Sequence, residues 1–271
     1  MARRVRIAVL GADGRMGRSL IRAVLAATPR AVLAAASERP GHVSVGKDAG
    51  VLAGIERTGV EVIGALPPRG EADVWIDFTS ANVTESVATT AAAHGVALVV
   101  GTTGLGTHAR AALDVAATRI PVVYAANYSV GINVLLRLVA DAARALGPEY
   151  DAEIVETHHR GKKDAPSGTA LRLAEAVAEA SGRDLAAAAR YARHGDVGAR
   201  SATEIGIQTL RGGDVIGDHT VMFLGNGDRI EITHRASTRD TFAVGAVRAA
   251  LWVAGCQPGL YDMRNVLGLS L

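Results

Sequence analysis

Val5–Leu10 is a short β-branched apolar run that leads directly into Gly11-Ala-Asp-Gly14-Arg-Met-Gly17 and then into a stretch of helical periodicity ending at Ala27. A strand, a glycine-rich turn and a helix in this order constrain the fold more than any other feature of the chain. The pattern recurs. Further apolar runs lie at Ala31–Ala36, Val74–Phe78, Val96–Val100 and Val122–Ala125, with helical segments near Ala81–His94 and Thr107–Thr118 between them. Such alternation implies parallel strands joined by crossover helices, an α/β sheet. Segment 39–70 is less regular, with several Gly and Pro residues, and is read as loops and short elements flanking the sheet.

The second half changes character. A helix is predicted near Ile132–Leu146, a strand at Ala152–Thr157, and a helix from about Thr169 to Ala180. Residues 182–200 look loop-like. Strand-like runs follow at Thr203–Leu210, His219–Leu224 and Arg229–His234, the last two joined by Gly225-Asn226-Gly227-Asp228, a strong hairpin signal. The pattern reads as an α+β domain built on an antiparallel sheet. The boundary is placed near 128–131, so that 1–129 forms the first domain and 130–237 the second. A final helix near Thr241–Ala254, within 238–271, returns to complete the first.

Composition narrows the function classes. A net charge of +2 with no Lys/Arg run argues against a nucleic-acid partner, and 4% aromatic content against a base-stacking surface. One cysteine, Cys256, excludes an internal disulfide framework and a cysteine-based zinc site. No apolar run approaches the roughly 18 residues that a membrane span needs, and the apolar stretch after the basic start Met1-Ala-Arg-Arg is too short for a signal peptide. The expectation is a soluble, cytoplasmic protein. Of its 29 lysines and arginines only Lys47, Lys162 and Lys163 are lysine.

The glycine turn has a chemistry. Glycines let the backbone approach a phosphate, and the following helix start offers free N–H groups and a positive dipole end. The spacing is GxxGxxG rather than GxGxxG, with Asp13 at the usual middle glycine, so a plain tight turn competes with the dinucleotide reading. Glu38 and Arg39 lie roughly 20 residues past Gly17, where a ribose-binding residue belongs. A carboxylate there accepts hydrogen bonds from a ribose diol and favours NADH; a guanidinium binds a 2′-phosphate and favours NADPH. A solvated surface ion pair is the alternative. Gly101-Thr102-Thr103-Gly104 and Ala125-Ala126-Asn127-Tyr128 follow two further strands, placed to line the nicotinamide end.

The densest polar cluster is Glu156-Thr-His158-His159-Arg160-Gly161-Lys162-Lys163-Asp164-Ala-Pro166-Ser167-Gly168-Thr169. Two histidines and two lysines crowd a strand end, and Ser167 is a natural helix cap. The helix start and the lysines suit a small dianion, and a histidine exchanges protons near neutral pH. A solvated loop beside a well-capped helix also fits. A metal site does not, because adjacent strand residues point to opposite faces and no Cys or Glu/His spacing supports it. His94, His194 and His219 are scattered and read as structural or exposed.

This cluster resembles the E-x-H-H-x-x-K-x-D-A-P-S-G-T signature of the bacterial dihydrodipicolinate (4-hydroxy-tetrahydrodipicolinate) reductases. The likeness extends to GxxGRMG at 11–17, Ser-Glu-Arg at 37–39, Ile-Asp-Phe-Thr at 76–79, GTTG at 101–104, Ala-Asn-Tyr-Ser-Val-Gly at 126–131, Gly-Asp-His-Thr at 217–220 and Gly-Leu-Tyr-Asp-Met at 259–263. The resemblance implies a Rossmann-like dinucleotide-binding domain plus a mixed α+β domain for substrate binding and oligomerisation, assembled as a homotetramer. It implies NAD(P)H-dependent reduction of a cyclic dicarboxylate in the diaminopimelate and lysine pathway, with NADPH or NADH as cofactor. It makes His158 the proton donor/acceptor and Lys162 the proton donor. It gives His159, Gly168 and Thr169, with Ser167 nearby, to the substrate, and Thr103 to the place where cofactor and substrate meet. Gly11, Ala12, Asp13, Gly14, Arg15, Met16, Glu38, Arg39, Gly101, Thr102, Thr103, Ala125, Ala126, Asn127 and Tyr128 would hold the dinucleotide. Tyr128 stands where the family commonly has Phe, either ring being able to pack by the nicotinamide. Lys163 and Gly161 fall at variable positions of the signature. Closure of the second domain onto the cofactor is expected. Two other readings remain: a dehydrogenase of another amino acid or semialdehyde on the same plan, and a redox sensor that holds NAD(P) without turnover.

Overall fold

The computed structural model describes residues 4–238 and 240–269. Met1–Arg3, Arg239 and the last two residues, which belong to the segments assigned to the first domain and to its boundary, lie outside the described residues. The chain forms two compact units, divided after Val130 and again before Asp240.

The first unit runs β1 (Val5–Leu10), α1 (Arg15–Ala26), β2 (Ala31–Ser37), α2 (Ala49–Leu52), β3 (Val62–Ile63), β4 (Val74–Asp77), α3 (Ala81–His94), β5 (Ala97–Val100), α4 (Thr107–Ala117) and β6 (Pro121–Tyr124). β4 and β5 are buried along their whole length, which is why they read as continuous apolar runs rather than alternating ones. All pairings are parallel, in the order β12-β6-β5-β4-β1-β2-β3, with β12 (Gly259–Tyr261) supplied by the C-terminal segment. Strand order reverses between β1 and β4. Open sheets of this kind take ligands beyond the strand ends at such a switch point. α1 buries Leu20, Ile21 and Val24 against the sheet. The returning helix α8 (Asp240–Val253) packs Ala243, Ala246, Ala249 and Ala250 into the same core. Small residues let it approach closely: a Cβ on Gly245 would lie 1.7 Å from the Tyr128 carbonyl oxygen.

The second unit begins with α5 (Val130–Leu146), most of which belongs to it, and continues through β7 (Asp151–His158), α6 (Gly168–Ala180), α7 (Leu185–Ala188), β8 (Ala189–Arg190), β9 (Ile205–Arg211), β10 (Asp218–Leu224) and β11 (Arg229–Arg235); α9 (Met263–Leu267) closes the chain in the first unit. The sheet order is β11-β10-β7-β9-β8. β10 runs antiparallel to β7 and β11, and the expected hairpin joins β10 to β11. The expectation of an antiparallel sheet throughout is corrected: β9 pairs parallel with both β7 and β8. The reason is the long connection from β7 to β9, which carries α6 and α7 and so forms a crossover rather than a hairpin. Ile154, Ile207, Val221 and Phe223 pack on one face against Leu135 and Val139 of α5 and Leu173 and Val177 of α6. Val155, Leu210, Met222 and Leu224 alternate with these along their strands and lie outside that core. No helix among the described residues is long and apolar enough to cross a membrane.

Candidate active site

The turn after β1 is held by its backbone. Gly11 takes a positive φ of 70°, and the N–H groups of Gly11 and Ala12 both donate to the Ser37 carbonyl at the end of β2. A Cβ on Gly17 would lie 2.0 Å from the Gly11 carbonyl oxygen, so only glycine lets α1 start this close to the turn. Gly14 is the N-cap and brings no side-chain acceptor. The first N–H groups of α1 therefore remain for an anion. Glu38 Oε1 accepts the Asp13 N–H at 3.0 Å, which fixes the carboxylate beside the turn. Asp13 is tied to Arg18 and accepts from Ser44 Oγ; these contacts, led by the Arg18 hydrogen bond, hold its pKa below the usual carboxylate range. Arg39 is exposed and forms no side-chain ion pair among the described residues. Arg15 is exposed as well, while Met16 packs against the core. An uncapped helix start, two glycines at closest approach and an anchored carboxylate together fit a dinucleotide.

Asp77, fully buried at the end of β4, links the neighbouring loops. It accepts from the Thr79 N–H and hydroxyl, from Thr84 and, at 3.5 Å, from Thr102. Thr102 is buried, Thr103 exposed. A Cβ on Gly101 would fall 2.1 Å from the Phe78 ring, so the ring occupies the space that a side chain there would need. Ala125, Ala126 and Asn127 follow β6 at the surface or partly buried. Tyr128 turns inward. Its ring lies in the core at 1% exposure, tilted against Phe78 at 5.2 Å. Its hydroxyl reaches the carbonyls of Val100 (2.8 Å) and Val123 (3.0 Å) at the ends of β5 and β6. The phenol thus ties the end of β5 to the end of β6.

The second unit gathers its polar cluster at the end of β7. Glu156 and His158 are two residues apart, so they share a face of the strand. Glu156 is fully buried and His158 9% exposed. Glu156 Oε2 meets His158 Nδ1 at 2.5 Å. Arg211 of β9 donates to both Glu156 oxygens at 2.9 Å, Thr209 Oγ1 donates at 3.2 Å, and the Ser167 N–H at 3.0 Å. Burial opposes the Glu156 charge, but the hydrogen bonds from Arg211, His158 and Ser167 more than offset it and hold its pKa below the usual range. Ser167 caps α6 by accepting the Ala170 N–H at 3.1 Å, and its hydroxyl also meets His219 Nε2 at 3.1 Å. Lys162 Nζ reaches both oxygens of Asp164 at 2.9 Å, and this contact, with lesser help from Arg211, keeps the Asp164 carboxylate readily ionised. His159 is partly buried, Lys163, Arg160 and Gly168 are exposed, and Thr169 is partly buried in the first turn of α6.

The family models and the curated relatives point to one group. Residues 5–128 match the family model described as dihydrodipicolinate reductase, N-terminus, and residues 131–267 the one described as dihydrodipicolinate reductase, C-terminus. The chain belongs to the dihydrodipicolinate reductase family. The 4-hydroxy-tetrahydrodipicolinate reductase of Alkalilimnicola ehrlichii is 57% identical over 97% of this chain and 99% of that protein. The enzyme of the same name from Myxococcus xanthus is 54% identical over 98% of each. In fold, the dipicolinate-bound dihydrodipicolinate reductase of a Paenisporosarcina species superposes with a TM-score of 0.76 at 23% identity, covering 97% of this chain and 99% of that one.

Some residues of the polar cluster escape a reading of the sequence. Glu156 opens the signature, and its period-two relation to His158 is the signal that pairs them. Arg211 and His219 are different. They reach the cluster because β9 pairs His158 with Arg211 and β10 pairs Glu156 with His219, a register that no local pattern announces. His219, read as scattered, is buried edge-on against the His158 ring at 5.2 Å.

Proposed function

We propose that this chain is a 4-hydroxy-tetrahydrodipicolinate reductase, reducing the cyclic product of aspartate semialdehyde and pyruvate to tetrahydrodipicolinate in lysine and diaminopimelate biosynthesis. The observation that carries the reading is the end of β7, where a histidine on a buried carboxylate, a lysine and a helix start stand together. That combination suits a small dicarboxylate that must be protonated as it is reduced.

In the first unit, Gly11, Ala12, Asp13, Gly14, Arg15 and Met16 form the cradle for the pyrophosphate. Glu38 accepts from the adenosine ribose, and Arg39 is free to meet a 2′-phosphate, which supports use of both NADH and NADPH. Gly101, Thr102, Thr103 and Ala125, Ala126, Asn127 and Tyr128 form the loops at the nicotinamide end, Tyr128 by fixing strand ends from within the core. The bound nicotinamide supplies the hydride. In the second unit, His159, Ser167, Gly168 and Thr169 hold substrate carboxylate, aided by the dipole of α6; Thr103 of the first unit is assigned to the substrate as well. His158 delivers or accepts a proton, and Lys162 donates one, its ammonium exchanging Asp164 for the substrate. Lys163 only adds to the field.

Assembly as a homotetramer is part of the proposal, supported by Val155, Leu210, Met222 and Leu224 outside the core of the second unit. Light scattering of the purified protein measures it. So is a cytoplasmic location, in keeping with a single, free cysteine. The activity is tested by mixing aspartate semialdehyde, pyruvate and the condensing synthase with this chain and following NADPH absorbance. Consumption above the synthase-only background is expected; none overturns the reading.

A further inference from the structure

Glu156 is more than a member of an ion pair. Its carboxylate touches both His158 and the start of α6: Oε2 meets His158 Nδ1, and Oε1 accepts the Ser167 N–H. Arg211 grips both oxygens and also donates to the Asp164 carbonyl at 2.6 Å, so the carboxylate cannot turn. An ionised carboxylate only accepts hydrogen bonds. The proton at this contact therefore belongs to Nδ1, and Nε2 is left to exchange protons. Nε2 lies against Gly217, where a Cβ would come within 2.9 Å of it, so a glycine keeps this nitrogen uncrowded.

We propose that Glu156, locked by Arg211, is a positioning residue for proton transfer: it fixes the tautomer and orientation of His158 and holds the anion-binding start of α6 in the same frame. This rests on the assignment of His158 to proton transfer made above. A carboxylate behind an imidazole also stabilises the protonated ring, the form that a proton donor needs. Beside the His158–Glu156 pair lie Arg211 on β9, which holds Glu156, and His219 on β10, edge-on to the His158 ring; Lys162 in the loop after β7 and His234 on β11 act on His219. His219 is pushed down to about 4 by burial first and then by His158, so it stays neutral at working pH and does not replace Glu156.

The test is Glu156→Gln, which keeps the shape but presents an amide that can donate to Nδ1 and so inverts the tautomer. In the ligand-free protein at alkaline pH, nitrogen NMR of labelled histidine should show the assigned His158 signals as the Nδ1–H tautomer, changing to Nε2–H in Glu156→Gln. In the reductase assay kcat should fall on the order of 100-fold or more while KM for NADPH stays put. The alkaline limb of the pH–rate profile should move to lower pH, and Glu156→Asp should recover part of the rate. A buried ion pair of structural value alone predicts loss of stability with tautomer and limb unchanged, and that result overturns the proposal. If Glu156→Gln does not fold, the wild-type tautomer decides: Nε2–H at His158 overturns it too. Arg211→Lys separates the effects, since it weakens the pair yet keeps the carboxylate on Nδ1, and should cost stability without inverting the tautomer. A wild-type chain that consumes no NADPH defeats the assignment of function while leaving the tautomer measurement to judge Glu156 independently.

Discussion

The two units each carry a parallel strand that runs through a polar turn into a helix start: β1 to α1 in the first, β7 to α6 in the second. Both starts offer N–H groups to an anion, yet they are built in opposite ways. The first is made by removing side chains. Gly11, Gly14 and Gly17 bring backbone to backbone, and the N-cap provides no acceptor. Its one acidic side chain, Asp13, is committed to Arg18 and Ser44. The second is made by adding them. Ser167 caps the helix, its own N–H is spent on the buried Glu156, and His158, Lys162 and His219 crowd the same strand ends. A site that only binds a phosphate group needs access to backbone. A site that must also move a proton needs side chains whose protonation is set by buried partners.

If that division of labour holds, the largest effect should come from breaking the second turn. His158→Ala and Lys162→Ala are each expected to lower kcat by about 10²–10⁴-fold, the range for loss of a proton-transfer group, with NADPH affinity unchanged in a fluorescence titration. Loss of cofactor binding in step with turnover would erase the distinction between the two turns.

The next effect exploits the titratable groups that only the second turn buries. His219 is held down to about 4 by burial and by the neighbouring His158, against an ordinary value of 6.5. Above pH 6.5 it is neutral folded or unfolded and has no influence. As the pH falls below 6.5 the unfolded chain takes up a proton that the folded chain refuses, so stability is lost progressively until about pH 4. At about 1.4 kcal/mol per unit, the full loss is about 3 kcal/mol. Urea midpoints of the second unit's transition at pH 7, 5.5 and 4.5 measure the slope, and His219→Gln should flatten it. An equal slope in the variant would remove His219 as its source.

Gly17→Ala is the matching break in the first turn. The added methyl lies 2.0 Å from the Gly11 carbonyl, and crowding of this kind costs about 1–3 kcal/mol. The expected outcome is weakened binding of both NADH and NADPH by calorimetry and a lowered Tm. Whatever enzyme is loaded at saturating cofactor should retain its kcat, the reverse of His158→Ala.

The contrast also explains which parts of the molecule were legible beforehand. The first turn is a local object: strand, glycines and helix are contiguous, and buried parallel strands such as Val74–Asp77 announce themselves as apolar runs. β12 was not legible, because three residues, Gly259–Tyr261, carry no period and gain their pairing only by reaching β6. The parallel pairing of β9 with β7 was missed because the packing of α6 and α7 decides it, not the alternation within either strand. The polar cluster at the end of β7 was half legible. His158, Lys162 and Ser167 are neighbours in the chain, whereas Arg211 and His219 arrive from β9 and β10 through sheet register alone. The inward turn of Tyr128 is not legible for a related reason: the two carbonyls that its hydroxyl meets belong to β5 and β6.

The smallest expected effect sharpens the first turn's own chemistry. Among the described residues Glu38 is anchored on the Asp13 N–H and meets no cationic side chain, while Arg39 beside it is exposed and unpaired. On the proposed reading the carboxylate would serve a ribose hydroxyl that both cofactors share at the 3′ position, while only NADPH would bring a 2′-phosphate to the guanidinium. Arg39→Ala should therefore raise KM for NADPH by roughly 10-fold, the scale of one exposed charge-assisted contact, and leave KM for NADH within about two-fold. Raising the ionic strength should raise the wild-type KM for NADPH more than that for NADH, because an exposed ion pair is screened. Equal losses for the two cofactors would mean that Arg39 shapes the loop rather than reading the phosphate, and the choice between NADH and NADPH would then fall to the carboxylate alone.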